Sequence, residues 1–260
     1  MGEFEFIVDN IDIYLLVFAR IAGIFFMNPI MSRTNIPAMV KAGVVLCVSV
    51  LITPAIEIPA DMEAGTIDFL LSFGKEVVIG VLLGYVFNLY YYMLMTAGDI
   101  LDTNFGLAMA KVFDPGTNIQ SAFTERLLTW LFTMYFFAVN GHLTLMSSAV
   151  STFDIIPVGA DTFLLDKGAS YAISLFSDVF SLALKLAVPF IATELVLEIS
   201  MGILMKLIPQ ITIFVIQYQL KILLSIILLF IMSGPIAAFI DNYIVMVFDS
   251  MRGAVEALSG

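Results

Sequence analysis

Across 260 residues the chain is 61% hydrophobic and 13% charged, with a mean hydropathy of +1.04. Soluble domains run at about half apolar and about one quarter charged, so a water-exposed fold of this length is excluded and lipid is implied as the solvent. The formal net charge is -11, but the acids lie largely between apolar runs, and no basic stripe marks a nucleic-acid partner.

The opening stretch, residues 1–12, carries Glu3, Glu5, Asp9 and Asp12 and neither Lys nor Arg. A cleavable signal peptide starts basic and ends at a small-residue cleavage site, so the first apolar run is expected to stay as a membrane segment. Crossing a bilayer takes about 20 apolar residues of helix. Six segments are candidates: 13–31, 42–56, 77–97, 127–153, 171–199 and 222–248. The second is short and holds Cys47, which as the single cysteine cannot form an intrachain disulfide and in its apolar setting is a poor reactive thiol. The fourth contains Asn140-Gly141-His142, where the chain can turn back before crossing. The fifth and sixth contain Pro189 and Gly234-Pro235, which predict kinks or helical hairpins. Between them, residues 200–221 are split by Pro209 and read as the tip of a long hairpin. The expected fold class is all-α: one polytopic membrane domain over 1–260 with six long apolar segments.

Loop charge predicts an orientation. Arg33, Lys41, Lys111, Arg126, Lys206 and Lys221 flank one set of boundaries, against Lys75, Lys167 and Arg252 on the other. By the positive-inside rule both termini face away from the cytoplasm.

Charges inside apolar runs are costly and mark function or buried pairing. Arg20 lies in the first segment; Lys185, Glu194 and Glu198 lie in the fifth. Glu194 and Glu198 are four apart and share a helix face. Lys185 stands about 180° round the helix from Glu194, so that pair does not form within one helix. A proton or ion relay is one reading; polar anchoring against other helices or subunits is the other, favoured because no second acidic cluster completes a relay. His142, the only histidine, has no neighbouring cysteine or histidine to share a metal, which leaves a turn or helix-end role. G-x-S-x-G, P-loop and H-E-x-x-H patterns are absent. No catalysis, cofactor or metal is expected.

Residues 98–126 form the most unusual stretch. Gly98, Gly106 and Gly116 punctuate it, and Asp114-Pro115-Gly116 signals a turn. A solvated loop has no use for Phe105, Leu107, Met109, Val112 and Phe113. These side chains need burial against the chain's own helices, a neighbouring subunit or a pore lumen.

A series of short blocks runs from Phe18 to Lys221: Arg20, Gly23, Pro29 and Ile36-Pro37; Glu76, Gly80 and Gly84; Gly98-Asp99; Gly106-Leu107-Ala108; Phe113-Asp114-Pro115; Asn140-Gly141-His142; Ser151-Thr152-Phe153 and Ile156-Pro157; then Pro189, Gly202, Pro209-Gln210 and Phe214. In order and spacing this series resembles the FliR/SctT-like family of type III export-gate proteins. Two positions depart from the family pattern. Lys206 stands where arginine is common, losing the planar fork, and Thr212 stands where asparagine is common. The family's virulence members tend to have a longer polar tail, so the stop soon after Arg252 points to the flagellar branch.

The resemblance implies a structural and gating subunit of a bacterial inner-membrane export gate at the flagellar basal body. Residues 1–153 would be FliP-like and 171–248 a FliQ-like hairpin. Partners would be FliP-like and FliQ-like subunits, FlhB-like and FlhA-like export proteins, membrane lipid and, transiently, unfolded substrates. The loop would plug the pore through Phe105, Gly106, Leu107, Met109, Phe113, Asp114 and Pro115. Assembly contacts are expected at Arg20, Lys185, Glu194, Glu198, Lys206, Pro209, Gln210 and Lys221. A competing reading is a secondary transporter with Arg20, Glu76, Lys185 and Glu194 at a midplane site. An intramembrane enzyme is least supported, since no Asp pair, His cluster or Ser-Lys/His arrangement is present.

Overall fold

The computed structural model describes residues 11–32, 36–56, 65–107, 123–159, 165–207 and 213–259. Among these the chain is helical, with no strand. The helices are α1 (Ile11–Met27), α2 (Ala38–Ile52, followed by a single 3-10 turn, Thr53–Ala55), α3 (Thr66–Asn104), α4 (Phe123–Ala138), α5 (Gly141–Ile155), α6 (Leu165–Leu207), α7 (Ile213–Ile231) and α8 (Ser233–Ser259).

The breaks have local causes. Helix α1 stops before Asn28-Pro29, where the proline disfavours helical geometry in the residue ahead of it. The Asn28 Oδ1 then accepts the Ile30 N–H at 2.9 Å and closes the turn. Segment 127–153 is two helices, because Asn140 adopts the left-handed region (φ 58°) and its carbonyl starts α5 by accepting from Leu143 and Thr144. His142 accordingly sits in the first turn of α5. Segment 222–248 breaks at Met232, and its two helices are bent by 61°. Helix α6 runs on through Pro189, where Thr193 bonds back to the proline carbonyl at 2.9 Å.

Six crossing segments are therefore not recovered. Among the described residues three helices are long and apolar enough to cross a membrane, Ala38–Ala55, Thr66–Asn104 and Asp166–Leu207, and the bent pair makes a fourth if counted as one span. The described part of α1 spans 17 residues. Hydropathy measures apolar content, whereas Asn28-Pro29 and Val139-Asn140 cut helix length without lowering that content much.

The chain forms two compact units. One comprises residues 1–90, 139–176 and 245–260; the other comprises 91–138 and 177–244. In the first, α1 packs on α2, and Leu16, Val17, Ile21, Ile24 and Leu83 form a dry core. In the second, Phe132, Phe136 and Tyr243 are fully buried in an aromatic cluster. Much apolar surface stays uncovered, including Met39 at 86% exposure and Phe230 at 82%.

Candidate functional site

In the first unit, glycines let α1 and α3 approach to backbone contact. A Cβ on Gly23 would stand 2.6 Å from the Gly80 carbonyl carbon, and one on Gly80 would overlap the Arg20 carbonyl oxygen. One on Gly84 would lie 2.9 Å from the Gly23 carbonyl oxygen. Such small-residue seams are how helices pack where lipid removes the hydrophobic drive. The register advances together, 20 and 23 against 80, then 23 and 27 against 84, so the two helices run in the same direction.

That seam delivers Arg20 to Glu76. Arg20 Nε donates to one carboxylate oxygen at 2.5 Å and Nη2 to the other at 3.0 Å, a bidentate pair with side chains at most 2% exposed. Arg20 Nη1 donates to Thr152 Oγ1 at 3.2 Å and to the Ile156 carbonyl at 3.0 Å, and the guanidinium lies 4.0 Å over the Phe153 ring. The Gly159 N–H donates to Glu76 at 3.1 Å. One buried ion pair thus ties α1, α3 and the α5 terminus.

In the second unit, the buried Asp102 near the end of α3 caps α4. Its carboxylate accepts the Thr124 N–H at 2.8 and 3.0 Å and the Thr124 hydroxyl at 2.6 Å. This satisfies donors that a helix N-terminus leaves orphaned. Just beyond, Phe105 is wholly buried edge-on to Phe190 of α6, with ring centroids 5.8 Å apart. Gly106 adopts φ 75°, and a Cβ there would stand 3.0 Å from the Tyr218 ring of α7. Helices α6 and α7 are joined by an ion pair between Lys221 and Glu198. Glu194, one turn from Glu198, is instead 1% exposed, and neither of its carboxyl oxygens has a hydrogen-bond partner among the described residues.

The model of bacterial export proteins, family 1, matches residues 11–246. The chain belongs to this family of bacterial export proteins. It is 27% identical to the flagellar biosynthetic protein FliR of Bacillus subtilis over 248 residues, covering 95% of each chain. Against FliR of Escherichia coli it is 28% identical over 250 residues, covering 95% of this chain and 94% of the relative. Against the Yop proteins translocation protein T of Yersinia pestis it is 25% identical over 248 residues, covering 94% and 95%.

In this export-family chain the expected site residues divide. Arg20 is satisfied entirely inside the first unit, and its partner, Glu76, lies 56 residues away. Glu194 and Glu198 share a helix but part in burial, since Glu198 takes Lys221 and keeps its side chain 48% exposed. Lys185 and Lys206 are exposed on α6. Phe105 is committed to this chain's own core, while Leu107 is half-buried. Met109, Phe113, Asp114, Pro115, Pro209 and Gln210 lie outside the described residues. Asp102 and Thr124 do not stand out as a pair in the sequence; an acid near one helix end and a threonine at the start of the next helix are the available signal. Among the described residues, no three His, Cys, Asp or Glu side chains converge as metal ligands.

Proposed function

We propose that the chain is a structural and gating subunit of a type III protein export gate in the bacterial inner membrane, at the flagellar basal body. With FliP-like and FliQ-like subunits it would surround a pore for unfolded substrates, joined by FlhB-like and FlhA-like proteins. The observation that carries this is near-complete coverage of relatives named for flagellar biosynthesis and for Yop translocation. Two names from different systems share one export apparatus as their simplest common ground. The wide exposed apolar surface supports it, since a subunit leaves such surface for lipid and partners. Residues 1–153 would supply the FliP-like part and 171–248 the FliQ-like hairpin. Exposed Lys185, Glu198 and Lys206 would meet partners, and Arg20 and Glu194 would act from inside by holding helix positions.

The same reading makes the loop after Phe105 the pore plug, with Phe105-Gly106 as its anchor between α6 and α7. A seal that must open for many polypeptides and still hold back ions is better made of deformable apolar side chains such as Met109 than of fixed ion pairs. Gentle-detergent purification tests the assembly, because FliP-like and FliQ-like proteins are expected to co-purify. A lone, monodisperse chain that moves a solute into liposomes would establish the transporter reading instead. Deleting residues 106–116 tests the plug. The complex should assemble and leak small ions; an assembled, ion-tight complex overturns the plug, and failure to assemble assigns the loop to the structural core.

A further inference from the structure

Helix α6 carries, within the second unit, an exposed stripe that no described residue covers. Asp178, Ser181, Lys185, Ala192, Val196 and Ile203 all fall within about 40° of the Lys185 direction on a 3.6-residue helix. All are exposed, Val196 by 64% and Ile203 by 58%. The stripe is polar in its first half and apolar in its second, and Lys185 stands where the two meet. The helix is 43 residues long and is one of the candidate spans, with Lys185 about 30 Å from either end.

We propose that this stripe is the docking face for a membrane helix of a partner subunit that carries a carboxylate opposite Lys185. The proposal rests on the reading of the chain as an export-gate subunit. An ammonium in the middle of an apolar span turns toward protein or water because acyl chains offer no counter-charge. Asp178 cannot neutralise it, since seven residues place the two about 10 Å apart along the axis. Ser181 and Ala192, one and two turns from Lys185, are small enough to let a partner backbone come close. Pro189 has no N–H, so the Lys185 carbonyl lacks its helical donor and adds an acceptor beside the ammonium. A second copy of this chain does not fit. Copies insert in one orientation, and a parallel pair would set Lys185 against Lys185; only an antiparallel pair would match Asp178 to Lys185.

The test uses the complex in its native membrane. With Cys47→Ser as background, Ser181→Cys is labelled with a photoactivatable group and the adduct is sequenced. The expected product is an apolar helix of another subunit with an Asp or Glu within about two turns of the crosslink. Lys185→Glu should lower recovered partner about tenfold or more, Lys185→Arg should keep it, and exchanging that acid for lysine should rescue Lys185→Glu. Adducts with lipid alone, with a second copy, or with a segment lacking an acid overturn the proposal, as does normal assembly of Lys185→Glu. If the parent chain recovers no partner at all, the export-gate reading itself fails; if assembly is intact and Ser181→Cys meets only lipid, this inference alone fails.

Discussion

Removing the Glu76 carboxylate should unfold the first unit more readily than any surface change. In Glu76→Ala, Arg20 loses its bonds at 2.5 and 3.0 Å, and the Gly159 N–H loses its acceptor. The guanidinium has no route to water, because Arg20 is 0% exposed. Breaking a buried pair from one side costs about 3–5 kcal/mol. At about 2–4 °C per kcal/mol for a domain of this size, the melting temperature should fall by about 6–20 °C. Thermal unfolding of the detergent-solubilised protein measures this. Because the pair is dry, the loss should persist when salt is raised. The double variant Arg20→Met with Glu76→Met should recover much of the stability, since apolar replacement of a whole buried pair is often near neutral. A fall under about 2 °C in both Glu76→Ala and Arg20→Ala, well below what the buried-pair cost implies, would refute the reasoning. So would a loss that salt abolishes.

Two further expectations follow from the packing. Gly80→Ala drives a methyl into the Arg20 carbonyl and should cost about 1–3 kcal/mol, whereas Gly74→Ala on the same helix meets nothing within 4 Å and should be neutral or stabilising by up to about 1 kcal/mol; paired melting curves separate them, and equal effects would disprove the seam. Asp102→Ala strips the cap from α4 at a cost of about 1–2 kcal/mol, so amide exchange at Thr124 and Glu125 should quicken by about 5–30-fold, as hydrogen-exchange mass spectrometry would show, while α5 stays unchanged.

The solvent, the helical class and several of the helix stops are legible in the residues alone. Composition demanded lipid, and Asn28-Pro29, Asn140-Gly141 and Gly234-Pro235 end or break helices through backbone geometry that needs no distant partner. The ordered blocks from Arg20 to Lys221 carried the family, later matched over residues 11–246. Helix length was less legible: α3 and α6 run well past their apolar windows, because residues such as Asp68 and Lys206 favour helix ends without being hydrophobic. Which charges meet depends on how the helices pack. Arg20 reads as a lone charge in the first apolar run and Glu76 as a residue just ahead of the third, until the glycine seam brings their helices together. Glu194 and Glu198 share a face by periodicity, yet α7 gives Lys221 to Glu198 and leaves Glu194 enclosed without a hydrogen bond among the described residues. The apolar character of Phe105 asks only for burial, against the chain's own helices, a neighbouring subunit or a lumen, and the chain buries it against Phe190. Periodicity fixes direction around one helix, whereas the choice of partner depends on how closely a second helix approaches, and that is set by contacts dozens of residues away.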